Sequence, residues 1–279
     1  MARCLALLAR DALLVVVLGA VAWLAVPPSQ SRAGFEDGAR AYEAGDFERA
    51  LKEWRGLAAA GNADAQYGLG TAFSEGSGVP KDRKKALEWF TRAADQGHLE
   101  AQHKVALAYI LGKAVKQDLK KAAVWLKKAA DKGLARSQYS LGKLYEFGNG
   151  VPKDDRKAFL WIGRAAELGF DKAQYKVGKR YRDGQGVGKD LKSAARWFLA
   201  AAEQGHARAQ NHIGIRLARG EGVAKDAVKA LMWLTLATRA GVRSAGKARD
   251  ELAATMSIGK RAKAEQMAAG WKPLKKPKK

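Results

Sequence analysis

A spacing of 36 residues constrains this chain more than any other feature of its sequence. Tryptophan, aspartate and glutamine each return at that interval at five places. The three sets are Trp89, Trp125, Trp161, Trp197 and Trp233; Asp82, Asp118, Asp154, Asp190 and Asp226; and Gln66, Gln102, Gln138, Gln174 and Gln210. A fixed period of roughly 20 to 50 residues is typical of a solenoid, in which each unit buries its apolar face on its neighbours. The sequence therefore predicts a linear array rather than one closed core.

Each 36-residue unit has the pattern of two helices joined by a short loop. In the third unit, residues 138, 141, 142 and 145 fall at helical spacings, which predicts a first helix (helix A) in which Gly142 lets a neighbouring helix approach closely. Residues 158, 161, 162, 165 and 166 do the same, which predicts a second helix (helix B). Gly148 stands where helix A should end, since a residue without Cβ adopts a left-handed cap at no steric cost. Asp154 stands where a side-chain oxygen would cap helix B. The pattern predicts an all-α chain of stacked helical hairpins.

The repeated pattern also resembles a known family. Five units between residue 65 and about residue 244 share the pattern LGxxYxxGxGVxxDxxKAxxWxxxAAxxGxxxAQ. This pattern is similar to that of the Sel-1-like repeat family, a subclass of tetratricopeptide-type α/α repeats. The resemblance implies a right-handed α/α solenoid and adaptor roles in complex assembly or signalling. Departures are few, and they are Ala106 and Ala114 for glycine, Ser137 for alanine and Leu217 for an aromatic residue.

The period and its flanks divide the chain into segments. A tetratricopeptide-like hairpin is predicted before the repeats, around Gly45-Asp46-Phe47, and capping helices after them, with Met267 and Trp271 covering the last pair. The predicted segments are a signal peptide at 1–33, the N-terminal hairpin at 34–62, five repeats at 63–98, 99–134, 135–170, 171–206 and 207–242, capping helices at 243–271 and a basic disordered tail at 272–279.

The N-terminal segment is typical of a secretory signal. Arg3 and Arg10 precede an apolar run at 12–26, and Ser31 and Ala33 are small residues suited to cleavage after position 33. The run is short for a bilayer span, which needs about 20 residues. The alternative is an uncleaved anchor with the two arginines in the cytoplasm. Either way the repeats are predicted to lie outside the cytoplasm, in the periplasm or beyond the cell.

The formal charge of +23 implies acidic partners or strong solubility. No helix-turn-helix, zinc or RNA-binding signature accompanies the charge, so we expect no nucleic-acid partner. The single cysteine, Cys4, precedes the apolar run, so a chain cleaved after that run would carry no thiol or disulfide. This sets it apart from the cysteine-rich members of the family, for some of which a β-lactamase activity has been proposed.

The helix A positions that are not needed for packing form a candidate partner-binding groove. In tetratricopeptide-type arrays these positions line the concave side. Eight basic residues fall there in units three to five, against Glu146 and Asp183. We name the following set the basic–aromatic strip: Tyr67, His103, Leu107, Arg136, Tyr139, Lys143, Lys172, Tyr175, Lys176, Lys179, Arg182, Arg208 and Arg219. Tyrosines beside lysine and arginine suit an extended peptide with acidic side chains or a free carboxylate.

Several other interpretations of these residues stay open. The lysines can be ordinary solvated surface, or the strip and tail can hold an anionic envelope polymer or membrane surface. The tryptophans lie in the helix B stripe with alanines, which indicates packing rather than sugar stacking. The four histidines lack the i, i+4 spacing of a helical metal site, and no activated nucleophile is visible. We therefore predict a non-catalytic protein-binding scaffold of the cell envelope, with no cofactor and no metal.

Overall fold

The computed structural model describes residues 28–274, and within that range the chain contains fourteen helices and no strand. Segments 1–27 and 275–279, including most of the predicted signal peptide, lie outside the described residues. The helices are α1 Pro28–Glu43, α2 Phe47–Ala59, α3 Ala63–Glu75, α4 Arg83–Asp95, α5 Leu99–Leu111, α6 Leu119–Asp131, α7 Ala135–Phe147, α8 Asp155–Glu167, α9 Asp171–Asp183, α10 Leu191–Glu203, α11 Ala207–Arg219, α12 Ala227–Arg239, α13 Arg243–Ala254 and α14 Ile258–Gly270. Consecutive helices pack on one another, which confirms the predicted all-α repeat solenoid. Units one to five are the pairs α3/α4, α5/α6, α7/α8, α9/α10 and α11/α12.

The helix boundaries follow from local capping. At the start of α8, Asp154 Oδ1 accepts a hydrogen bond of 2.9 Å from the Lys157 backbone N–H, as an N-cap aspartate should. At the end of α7, Gly148 adopts φ 70°, a left-handed conformation that is costly for a residue with a Cβ. The equivalent aspartates and glycines behave in the same way in the other four units.

Small and amide side chains set the close packing within and between units. A Cβ on Gly142 would lie 2.5 Å from Ile162 Cγ1, so glycine is required where α7 crosses α8. Between units, buried Gln138 donates a hydrogen bond of 3.1 Å to the Ala130 carbonyl in the last turn of α6. The other four repeated glutamines make the same bond. Each repeated glutamine thus ties the start of its unit to the last turn of the preceding helix.

The repeated tryptophans all pack against the core, but to different depths. Trp161 and Trp233 are buried, at 7% and 5% exposure. Those of units one, two and four are half-buried. A cation three residues further along the helix covers three of the rings; Arg164, for example, lies 4.7 Å above Trp161. The prediction of a packing role is confirmed, while full burial holds for two of the five rings.

Additional helices cover both ends of the array. On the N-terminal side α1 and α2 pack on each other, and Trp54 of α2 is buried. On the C-terminal side α14 packs on α12, and the Trp271 ring meets Trp233 edge-on at 5.8 Å. The backbone N–H of Leu274 donates a 2.8 Å hydrogen bond to the Glu203 carbonyl, so the described part of the predicted tail is held against unit four.

The predicted cleavage point after residue 33 falls inside α1. Cleavage there would leave the helix starting at Gly34. Between Pro28 and Leu274 no helix is long and apolar enough to cross a bilayer.

Candidate binding surface on the helix A faces

The most basic part of the strip surrounds Tyr175 in unit four. The Tyr175 ring stacks on His206 at 4.5 Å and lies 5.7 Å from the ring of His212. Burial raises the pKa of Tyr175, and the nearby positive charges of Arg208 and Arg182 oppose that rise. The structure therefore brings residues of α9 and α11 onto one surface, as the 36-residue register predicts.

His212 marks the inner edge of this surface. Its ring stacks on fully buried Phe198 at 4.8 Å. Burial, together with the charges of Arg182, Arg216 and Lys179, lowers the pKa of His212 to about 4. The ring is consequently neutral at pH 7 and offers an uncharged face among cations.

The middle of the strip carries mixed charge. Tyr139 packs edge-on against Phe170 at 5.4 Å. Its pKa is raised by burial and then by the carboxylates of Glu146 and Asp171. The surface around Tyr139 is thus less attractive to an anion than the surface around Tyr175.

Tyr67 lies at the far end of the strip. Its ring stacks on His98 at 4.6 Å. Burial raises its pKa, the Glu100 carboxylate adds to the rise, and the Arg136 charge opposes it. This end repeats the tyrosine–histidine pair of unit four with fewer cations around it.

Three of the eight basic residues in the strip are already bound to carboxylates. Lys176 Nζ lies 2.9 Å from Glu146 Oε1. Arg182 binds Asp183 through two hydrogen bonds of 2.6 and 2.7 Å, and Arg219 Nη1 lies 3.4 Å from Glu221. Within the described chain the other five make no ion pair, and they are Arg136, Lys143, Lys172, Lys179 and Arg208. The strip stays basic, with fewer available cations than the sequence predicts.

His103 does not lie on an open surface as predicted. It is 7% exposed, and its Nδ1 lies 2.9 Å from the Ser137 hydroxyl in the next unit. Burial, together with the charges of Arg136 and Lys104, lowers its pKa to about 4. The reason is a hydrogen-bonding partner across units: serine, where the other units have alanine, supplies a hydroxyl that bonds to the imidazole. We therefore remove His103 from the candidate surface.

The part of the strip in unit two is apolar. Leu107 lines a small crevice of about 140 Å³ together with Phe90 and Leu111. Leu111 and Phe147 are each 57% exposed, and Lys143 Nζ lies 5.7 Å from the Phe147 ring. The strip thus changes from apolar at unit two, through mixed at unit three, to basic at units four and five.

Two buried arginines were not predicted. Arg180 and Arg216 occupy the helix A position that holds Ala72, Ala108 and Leu144 in the first three units. They are 0% and 4% exposed. The sequence signal that could have revealed them is a charged residue at a position where the other units have alanine or leucine. The sequence does not show which group neutralises that charge.

Two histidines also have a role that spacing did not indicate. His98 and His206 are N-cap residues of α5 and α11, where Nδ1 accepts a backbone N–H at 3.1 and 3.2 Å. Their rings at the same time support Tyr67 and Tyr175. Among residues 32–274 no cluster of histidine, cysteine or carboxylate side chains could hold a metal ion.

Comparison with known proteins agrees with this architecture. The Sel1 repeat profile matches residues 63–98, 99–134, 135–170, 171–206 and 207–242. Proteins with this repeat are generally non-catalytic scaffolds of protein interaction. A comparison with curated proteins finds no significant match.

Two solved structures are similar over most of the chain. A Sel1 repeat protein from Oxalobacter formigenes is 33% identical, with a TM-score of 0.72 over 84% of this chain and 98% of that one. The c5321 protective antigen of uropathogenic Escherichia coli, which has an SLR fold, is 27% identical, with a TM-score of 0.76 over 86% of this chain. The match covers 53% of that antigen, so this chain spans about half its length. From the five matched repeats and the shared fold, the chain belongs to the Sel1 repeat family.

Proposed function

We propose that this chain is an exported, non-catalytic scaffold of the cell envelope that binds an extended acidic segment of another protein. The segment lies along the basic–aromatic strip and is held most firmly at units four and five. The observation that carries the proposal is the surface around Tyr175, where aromatic rings lie beside several cations.

The chemistry of that surface matches an acidic peptide. Lys172, Lys179 and Arg208 carry no ion pair among the described residues, so they can receive carboxylates without first breaking one. The tyrosine and histidine rings offer flat area that loses little conformational entropy on binding. Leu111 and Phe147, both exposed, can receive an apolar side chain further along the same segment.

Export is supported by the composition of the N-terminal segment. Two arginines precede an apolar run and small residues follow it, as in a secretory signal. The partner proposed here is accordingly another envelope protein.

The proposal is tested by titrating a fluorescently labelled, glutamate-rich peptide into the purified repeats and measuring anisotropy. Tyr175→Ala and Arg208→Glu should each weaken binding about tenfold or more, as loss of an anchor residue does. Lys128→Glu, which changes an exposed lysine of helix B in α6, is the charge-matched control and should leave the affinity nearly unchanged.

A different result would favour the anionic polymer or membrane surface instead. Binding of that kind falls steeply with added salt and tolerates loss of the ring. If Tyr175→Ala and Tyr139→Ala bind as wild type while Arg208→Glu and Lys128→Glu weaken binding equally, recognition of a peptide segment is refuted.

A further inference from the structure

The two buried arginines of the array have different surroundings. Arg180 in unit four is fully enclosed, with Nη2 lying 3.3 Å from Glu146 Oε1 and Nη1 lying 3.4 Å from Asp155 Oδ1. Its Nη1 also donates a hydrogen bond of 3.1 Å to the Gln185 carbonyl. A buried arginine persists when its charge is compensated in this way.

Arg216 in unit five has no such compensation. Its guanidinium lies 4.8 Å above the Phe198 ring, and Nη1 donates a long hydrogen bond of 3.4 Å to the His212 carbonyl. Its Nε is buried without a hydrogen-bond partner, as is the Nε of Arg180. The two arginines differ in their carboxylates, since no described carboxylate forms an ion pair with Arg216. Nη2 makes no hydrogen bond within the described chain, and unlike Nε it retains some exposure to solvent.

The repeat register explains the difference. The position that supplies Glu146 to Arg180 is occupied, 36 residues later, by Arg182. The position of Asp155 is occupied by Leu191. Both counter-ions of unit four have therefore been replaced at unit five, while the buried arginine has been kept.

The neighbouring charges do not make up for this loss. Burial lowers the pKa of Arg216; Glu221 and Asp183 oppose that shift, while Arg182 and Arg219 add to it. These four form two pairs of their own, Arg182 with Asp183 and Arg219 with Glu221. The charge of Arg216 is thus left over, with Lys179 adding to the positive field at His212.

We propose that Arg216, together with His212 and Lys179, forms an anion subsite that takes one carboxylate from outside the chain. The carboxylate would occupy the place that Glu146 fills in unit four, where it meets both Lys176 and Arg180. The subsite itself does not depend on the proposed function. The source of the carboxylate does, since it would be a side chain or the free carboxyl terminus of the bound segment.

The test follows the Nε–H signals of the arginines by nuclear magnetic resonance in ¹⁵N-arginine-labelled protein. Sodium acetate is titrated against sodium chloride at constant ionic strength, and Arg216→Gln assigns the signal by its loss. Acetate should shift the Arg216 signal saturably, and the Arg180 signal, already paired, is the internal reference. If the Arg216 signal moves no more than that of Arg180, the subsite is refuted and Glu221 becomes the candidate counter-ion.

A second variant tests the subsite even if Arg216→Gln impairs folding. Arg182→Glu recreates the unit-four arrangement and should pair with Arg216 within the chain, so acetate should no longer shift its signal. A saturable shift that persists in a folded Arg182→Glu protein overturns the subsite.

The peptide assay separates this inference from the proposed function. Arg216→Gln should weaken binding of the glutamate-rich peptide about tenfold or more, the range for a hydrogen bond to a charged group. Arg156→Gln, at an exposed position of α8 outside the strip, is the matched control and should not. If the Arg216 signal responds to acetate but the peptide does not bind, the subsite stands and the proposal that the chain binds an acidic segment is refuted. Peptide binding without an acetate response refutes the subsite alone.

Discussion

Replacing Glu146 by glutamine should destabilise the array by leaving Arg180 partly uncompensated. The Glu146 side chain is 13% exposed and that of Arg180 is 0% exposed, so the pair is removed from solvent screening. Breaking a buried pair on one side costs about 3 to 5 kcal/mol. Because Asp155 stays within 3.4 Å of Arg180, and is itself 45% exposed, we expect the lower end of that range, about 3 kcal/mol.

The assay is equilibrium unfolding in urea, followed by circular dichroism at 222 nm. Asp131→Asn is the matched control, because it removes an exposed ion pair to Lys127 of similar length, 2.7 Å. It should cost no more than about 0.5 kcal/mol, as exposed helix pairs do.

A double variant tests whether the loss of stability comes from the uncompensated charge of Arg180 rather than from altered packing. Leucine occupies the same core position in unit three, at Leu144, so Arg180→Leu added to Glu146→Gln should recover most of the loss. A loss below about 1 kcal/mol for Glu146→Gln alone, the value of a surface pair, would refute the reasoning. So would a double variant no more stable than the single one.

Three further predictions concern packing and protonation. Gln138→Ala removes the 3.1 Å bond to the buried Ala130 carbonyl and should cost about 1 to 2 kcal/mol in the same urea assay. Gly142→Ala places a Cβ 2.5 Å from Ile162 Cγ1 and should cost about 1 to 3 kcal/mol although alanine favours helix; a gain in stability would contradict the close crossing. Burial and the neighbouring cations lower the pKa of His212 from 6.5 to about 4, so as the pH falls the unfolded chain takes up this proton before the folded chain does. The contribution of His212 to the free energy of unfolding is complete above pH 6.5 and falls by about 1.4 kcal/mol per pH unit towards pH 4. His212→Gln should remove that slope from the measured dependence of the free energy of unfolding on pH.

The helices and their ends could be predicted because they depend on local chemistry. Asp154 caps the helix that follows it, and Gly148 ends the helix before it, through bonds that span a few residues. Repetition then carried each local prediction to four other places. Gly142 was predictable for the same reason, since a small residue at one helical position implies a close neighbour.

The charge balance of the candidate site could not be predicted in the same way. Lys176 and Glu146 are 30 residues apart in the sequence, and their contact depends on how two units stack. Arg180 and Arg216 look alike in the repeat register, yet one is paired and the other is not. His103 was placed on the surface because its neighbour across units, Ser137, was not considered as a partner.

The central claim is that the helix A faces of units four and five receive an acidic segment of one defined protein. The most direct measurement is cross-linking in living cells from a photoreactive residue at position 179, with the cross-linked peptide sequenced by mass spectrometry. Position 128 on helix B is the matched control. The account predicts one recurrent partner at position 179, joined through a segment rich in aspartate and glutamate, and no such product at position 128. The same mixture of unrelated proteins from both positions would contradict it.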